Sequence, residues 1–374
     1  MRRTERIVKE LLAKAGVAVN GDMPWDIQVR DRRFFGRVIR ERSLGLGEAY
    51  MEGWWDCESL DQFFTRICAA GLDSTEARRP LPRLLDAAME LLVNRQSPRR
   101  ADQVARAHYD LGNEMFHSWL DRHKLYSCGY FADTDDLDQA QERKLDLICR
   151  KAGLSAGDEV LDVGCGWGGF CAYAAGRYGC RVTGVNVSGE QVAHAREACA
   201  DLGGGVEIIR RDYRDISGTF DKIVSVGMFE HVGHKNHRAF MRSMAGCLRA
   251  GGTFLLHTIG ANVSSFGCDA WIRKYIFPNG DVPSLAQIAH AAEGLFVVED
   301  VHNLGPHYDK TLMAWHERFR QAWPRLKEGY PESFRRMWEY YLLQSAGAFR
   351  ARALQLWQIV MTPQGSPQPA CRLS

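Results

Sequence analysis

The chain has 374 residues, 45% hydrophobic and 25% charged, which excludes a disordered tail, a coiled coil or a small disulfide scaffold and allows one large or two ordinary domains. Lys and Arg total 48 against 46 for Asp and Glu, so no overall field draws the molecule to nucleic acid and an anionic partner must meet a local patch. Eleven cysteines without a Cys-x-x-Cys pair or zinc-like His spacing are expected to be reduced thiols in a cytosol, with no metal site. Glu5, Lys9, Glu10 and Lys14 interrupt any early apolar run, so neither a signal peptide nor a membrane span is expected.

From Trp25 to Phe64 the chain is aromatic and Arg-rich, with strand-like alternation over Asp26 to Val38 and a helical Leu60, Phe63, Phe64 region. Leu84, Leu85, Ala88, Leu91 and Leu92 then mark an amphipathic helix, surrounded by arginines from Arg78 to Arg106 and broken at Ser97-Pro98. The expected organisation is a small N-terminal α+β/helical domain over 1–93, a linker over 94–101 and a large domain over 102–374. That domain opens with a helix carrying Leu145, Ile148, Cys149 and Ala152 on one face. Strands are predicted at Val160 to Val163, Arg181 to Val187, Val206 to Arg210, Lys222 to Val226 and Thr253 to His257. Strands alternating with helices predict an α/β fold with a parallel, doubly wound sheet. Phe296 to Asp300 and Leu354 to Val360 can supply two last strands, with helical Leu312 to Trp323 and Phe334 to Phe349 between them.

Asp162-Val163-Gly164-Cys165-Gly166-Trp167-Gly168-Gly169 follows a strand and opens a helix. Glycines there let the backbone turn tightly and a ligand approach its amides. A dinucleotide fold is the plain alternative, but the spacing resembles that of class I S-adenosylmethionine methyltransferases, which have a Rossmann-like fold. Where many such folds end the second strand with an acid, this chain has Asn186-Val187-Ser188, and an amide bonds ribose hydroxyls less strongly than a carboxylate. Ser188 to Gln191 reads as a capping box, which explains Ser188 fully and Gln191 in part. Asp212-Tyr213 after the third strand is expected near the adenine.

Further motifs are Tyr126-Ser127-Cys128-Gly129-Tyr130, Val226-Gly227-Met228-Phe229-Glu230-His231-Val232, Leu256-His257-Thr258-Ile259-Gly260, Tyr275-Ile276-Phe277-Pro278-Asn279-Gly280 and Thr311-Leu312-Met313-Ala314-Trp315. Together with the glycine loop they resemble, in order over residues 102 to 360, the bacterial cyclopropane-fatty-acyl-phospholipid synthases. The resemblance implies an enzyme that adds the methyl of S-adenosylmethionine to the cis double bond of a phospholipid acyl chain within the bilayer and closes a cyclopropane. The cofactor is expected on Tyr126, Ser127, Asp162, Gly164, Cys165, Gly166, Gly168, Gly169, Asn186, Val187, Gln191, Asp212, Tyr213 and Arg214.

An alkene is a poor nucleophile, so the reaction needs a dry, oriented pocket, and the carbocation it forms needs a base for one proton. The resemblance implies that this base is bicarbonate, held by Cys128, Glu230, His257, Ile259 and Tyr308, with the backbone amides of Cys128 and Ile259 and the side chains of His257 and Tyr308 as donors. Glu230 would accept from the bicarbonate hydroxyl or orient His257. The plainer reading of Cys128 is a core cysteine and of His257 a satisfied core histidine, whereas a buried Glu230 needs a partner. Trp271, Tyr275, Phe277, Trp315 and Phe319 are core or cation-stabilising aromatics. Some relatives have Cys where this chain has Ser345, so a thiol there is not expected to be essential. The expected partners are unsaturated phospholipids, an anionic membrane surface at its inner face and a second copy in a homodimer, with no nucleic acid. Another lipid or small-molecule C- or N-methyltransferase and a non-catalytic lipid-binding protein are the alternatives.

Overall fold

The computed structural model describes residues 3–72, 112–265 and 267–373. The Arg-rich stretch, the amphipathic helix beside it and the linker expected at 94–101 lie outside the described residues. No helix among the described residues is long and apolar enough to cross a membrane. The described chain forms two compact units, and each is woven from separated segments.

The first unit takes the described residues up to Leu72 together with Cys268–Pro278 and Tyr308–Leu354. Helices Arg3–Lys14, Arg33–Met51, Leu60–Ala69 and Glu332–Arg350 build it, with a two-residue antiparallel pair, β1 (Gln28–Val29) and β2 (Trp55–Asp56). Trp55, Phe63, Trp271, Trp315, Trp338 and Tyr340 are each at most 1% exposed and form its aromatic interior. Arg336 ties it together, donating to the carbonyls of Tyr50 at 2.6 Å and Trp55 at 3.0 Å and to Asp56 at 2.8 Å. The strand expected over Asp26 to Val38 is corrected: pairing stops at Val29 and a helix begins at Arg33. Asp31 accepts from the Arg33 amide at 2.8 Å, a local bond that diverts the backbone from a ladder. Phe34, Phe35 and Val38, at i, i+1 and i+4, then read as a helical face and break the alternation of Ile27 and Val29.

The second unit holds the described residues from Gly112 to Gly267, then Asn279–His307 and Gln355 onwards. Its strands are β3 (Glu159–Val163), β4 (Arg181–Asn186), β5 (Val206–Arg210), β6 (Phe220–Val226), β7 (Leu248–Ala261), β8 (Phe296–Asn303) and β9 (Leu354–Pro363), in the order β5-β4-β3-β6-β7-β9-β8. Helices Leu137–Ala152, Gly169–Tyr178 and Gly189–Ala198 contribute to one core layer, and His237–Cys247 with Leu285–Ala292 to the other. Val160 and Leu161 feed opposite layers, as successive residues of a strand buried on both faces must. The doubly wound α/β sheet is therefore as expected over its first five strands, but it is not wholly parallel: β9 runs antiparallel to β8. Asn303 at the end of β8 registers with Trp357 near the start of β9, so the chain re-enters the sheet at the end it left and can only run back.

Candidate active site

The glycine loop leaves β3 with Gly164, Gly166 and Gly168 at φ +89°, +55° and +87°, a left-handed backbone that side chains resist. Its amides at Gly164 and Cys165 donate to the Val185 carbonyl at 2.9 and 3.1 Å, which pins the loop to β4. A Cβ at Gly169 would meet the His123 carbonyl at 2.2 Å, whereas a Cβ at Gly166 would meet nothing within 4 Å. The first glycine serves packing and the second leaves open space.

That space is part of a cavity lined by Tyr126, Ser127, Asp162, Gly164, Cys165, Gly166, Gly169, Asn186, Val187, Gln191, Asp212, Tyr213 and Arg214. Every residue expected to hold the cofactor lines it except Gly168. Gly168 instead packs against Ala195 and Cys199, which a Cβ would meet at 3.1 and 3.3 Å. The Asn186 amide donates to the Gln191 side chain at 2.9 Å and the Gly166 carbonyl at 3.3 Å. Gln191 therefore does not complete the expected capping box; only its backbone amide donates to Ser188, at 3.4 Å. Asp212 caps the following turn through the Arg214 amide and pairs with the Arg214 guanidinium at 3.0 Å. Arg214 lies over the Tyr213 ring, 4.6 Å from its centre.

Beside the loop two charged groups are withdrawn from water. Burial raises the Asp162 carboxyl to about 7, against the opposing Cys171 thiol, which donates to it at 3.3 Å, and the charge of Lys144. Burial also lowers Lys144 to about 8. Lys144 lines the cavity too, and its place on the apolar face of helix Leu137–Ala152 was the available signal.

Glu230 sits in the short turn after β6, and its Oε1 accepts from the Ile259 amide on β7 at 2.6 Å. His257 lies two residues earlier on the same strand, and its backbone carbonyl accepts from Gly227 at 2.9 Å. Its Nδ1 is 3.3 Å from the Gln358 amide nitrogen of β9. Orientation of His257 thus falls to Gln358, which sequence reasoning missed, and not to Glu230. Donation by that amide to Nδ1 leaves the ring proton on Nε2. Glu230 Oε2 and His257 Nε2 are both buried without a hydrogen-bond partner. Burial raises the Glu230 carboxyl to about 7, opposed first by the Ile259 amide, and holds His257 well below its usual value.

Cys128 is buried in the loop before helix Leu137–Ala152, its thiol 3.2 Å from the Gly129 carbonyl. Tyr308 belongs to the first unit, where its ring packs against Phe349 with centres 4.5 Å apart. Trp271, Trp315 and Phe319 are fully buried in that unit, and the Tyr275 hydroxyl donates to Glu48 at 2.9 Å.

Residues 96–359 match the model of the mycolic acid cyclopropane synthetase family. The chain is 50% identical over 357 residues to the cyclopropane-fatty-acyl-phospholipid synthase of Escherichia coli K12, covering 96% of this chain and 93% of that one. It is 35% identical to the tuberculostearic acid methyltransferase UfaA1 of Mycobacterium tuberculosis, over 88% and 81% of the two chains. Among solved structures, the mycolic acid cyclopropane synthase CmaA1 complexed with S-adenosylhomocysteine superimposes with a TM-score of 0.65 at 31% identity, over 70% of this chain and 97% of the other. The chain belongs to the mycolic acid cyclopropane synthetase family.

Proposed function

We propose that this protein is an S-adenosylmethionine-dependent cyclopropane-fatty-acyl-phospholipid synthase. The observation that carries the reading is the 50% identity, over 96% of the chain, to a synthase of that name. The cofactor would supply an electrophilic methyl on its sulfonium. The open space over Gly166 fits such a guest, with Asn186, Asp212 and Tyr213 for its adenosine part and Asp162 beside the loop. The chain's own contribution is to hold the alkene in line and dry, so that the double bond and not water meets the methyl.

Ring closure then requires loss of one proton from the added methyl. The orphaned pair fits a bicarbonate: Glu230 Oε2 offers an acceptor for its hydroxyl and His257 Nε2–H a donor for its oxygens. When bound, bicarbonate would supply the base. Gln358 keeps His257 in the donating form, while the Ile259 amide, expected on the bicarbonate itself, is corrected to a support of Glu230, to which it donates at 2.6 Å. The family resemblance adds the Cys128 amide and the Tyr308 hydroxyl to the proposed set. The protein works in this reading as a homodimer at the anionic inner face of the membrane, with residues 1–93 and the basic stretch from Arg78 to Arg106 toward the lipid. Flotation with anionic vesicles that persists unchanged at high salt would count against that membrane contact.

A methyl branch instead of a ring is the second reading, favoured by the relative named a tuberculostearic acid methyltransferase. Purified protein, cis-unsaturated phospholipid vesicles and S-adenosylmethionine decide between them. The ring reading expects product heavier by one CH2 whose olefinic signal is lost and which hydrogenation leaves unchanged in mass. Glu230→Gln and Tyr308→Phe are expected to lower turnover by about 10²-fold, as for loss of a positioned acid/base partner, with cofactor affinity little changed. Coproduct release with a reducible double bond retained would overturn ring formation.

A further inference from the structure

Helix Leu137–Ala152 fills the second unit's core with Ala140, Leu145, Ile148 and Cys149, yet Lys144 shares that face and is 1% exposed. A buried ammonium must recover what it loses in hydration. Lys144 Nζ donates to Ser127 Oγ at 2.8 Å. Among the described residues no carboxylate forms an ion pair with it, and Asp121 and Asp162 act on it only through space. Asp121 is committed elsewhere, accepting from the amides of His123 at 2.7 Å and Leu125 at 2.9 Å.

An ammonium carries donors and no acceptor. Ser127 Oγ must therefore accept from Lys144, and the hydroxyl's own hydrogen is left to donate to something else. Ser127 is held from behind, its carbonyl accepting from the Gln141 amide at 2.8 Å. Ser127 and Lys144 both line the cavity of the glycine loop, whereas neither Glu230 nor His257 does. The cavity is thus lined by a residue that carries a charge-assisted donor and by one that carries a positive charge, and not by the pair that fits bicarbonate.

We propose that Lys144 is a positioning residue for the cofactor's amino-acid tail, countercharging its carboxylate and turning the Ser127 hydroxyl toward it as a donor. The proposal rests on reading the cavity as the S-adenosylmethionine site. It assigns Lys144 an effect on one functional group of the ligand and none on the adenosine.

Calorimetry with two probes tests this. One is S-adenosylhomocysteine, and the other is its decarboxylated analogue, S-adenosyl-3-thiopropylamine, which keeps the amine and loses the carboxylate. Lys144→Met is expected to weaken S-adenosylhomocysteine about tenfold to hundredfold, the usual loss when a bond to a charged group goes, and to leave the analogue within about threefold. Ser127→Ala is expected to repeat the pattern, and it decides the matter by the same two readings if Lys144→Met melts the fold. Equal weakening of both probes would mean a merely structural lysine and overturn the proposal. Unchanged affinity for S-adenosylhomocysteine, with the bicarbonate dependence of turnover altered instead, would assign Lys144 to the other anion and overturn it too. Failure of the wild-type chain to bind either probe would sink the cofactor reading itself, and this proposal with it.

Discussion

A carboxyl group that folding carries out of water holds its proton longer, and Glu230 does so at a point where its fate can be measured. Its ordinary value of 4.5 is raised to about 7. Between those values the folded chain keeps a proton that the unfolded chain has released, so ν for the native state exceeds that for the unfolded state and stability falls as pH rises through the window. Glu230→Gln removes this titration while a carbonyl oxygen remains to accept from Ile259. The variant is expected to match the parent below pH 4.5 and to be more stable by up to about 3 kcal/mol above pH 7, since each pH step of one across that window contributes about 1.4 kcal/mol. Urea unfolding in the absence of ligand, at about pH 4.5 and about pH 8, checks it. An equal change at both would show that ionisation of Glu230 is not what the fold resists. The motif around Glu230 was legible in the sequence; its partners were not. Ile259 and Gln358 reach Glu230 and His257 across neighbouring strands, and only sheet order decides that β9 delivers Gln358 beside β7. A glutamine within the apolar run Leu354 to Val360 was the trace it left.

Elements were legible where burial on both faces writes a mostly apolar run, broken only by Asp162 in Val160 to Val163 and by Ser225 in Ile223 to Val226, or where apolar residues take helical spacing, as at Leu145, Ile148, Cys149 and Ala152; the caps of that helix, Asp136 and Gly153, were not read. Asp136 accepts from the Gln139 amide at 2.8 Å, and Gly153 closes the helix at φ +64°. Short aromatic stretches were less so: Ile27 and Val29 alternate as in a strand, whereas Phe34, Phe35 and Val38 take helical spacing, and the Asp31 bond lies where the one pattern gives way to the other. Helix crossings were not legible at all. Helix Glu332–Arg350 approaches Leu60–Ala69 through Gly347, where a Cβ would meet Phe64 Cβ at 2.6 Å, the Thr65 nitrogen at 2.7 Å and the Asp61 carbonyl at 2.8 Å. Two of the three obstacles are backbone atoms that no rotamer moves. Helix propensity alone would make Gly347→Ala stabilising by up to about 1 kcal/mol. The clash is expected to reverse the sign and cost about 1–3 kcal/mol, as overpacking does. Thermal unfolding of the variant beside Gly246→Ala, where a Cβ meets nothing within 4 Å, separates the two effects. A raised melting temperature for both would show that the crossing is looser than these distances require.

At the scale of the molecule, the expected boundary between a small N-terminal domain and the rest meets a fold in which the N-terminal residues are one segment of a three-segment unit. Helix Glu332–Arg350 comes from the far end of the chain, yet its Tyr340 ring lies 5.5 Å from Tyr50 and 5.1 Å from Phe64. Arg336 lies over Tyr50 at 4.0 Å and spends its guanidinium on Tyr50, Trp55 and Asp56. Arg350 likewise bridges Asp61 and Asp309, at 2.5 and 2.9 Å. Deleting residues 1–72 would leave Tyr340 and Trp271 without cover on that side, Arg336 without its acceptors and Arg350 with one carboxylate of two. Each exposed large aromatic forfeits about 1.5–3 kcal/mol of burial, and several together rival the whole stability of a domain. The deletion is therefore expected to yield aggregated or proteolytically labile protein. Sedimentation and limited proteolysis, compared with the full chain, give the answer, and an internal control comes from Arg336→Leu, which keeps every aromatic side chain and removes the guanidinium's hydrogen bonds together with its contact over the Tyr50 ring. That variant is expected to stay folded with a lowered melting temperature. A monodisperse, protease-resistant product from the deletion would mean that the segments from Cys268 and Tyr308 onward close a core among themselves, and that the N-terminal region is a separable domain after all.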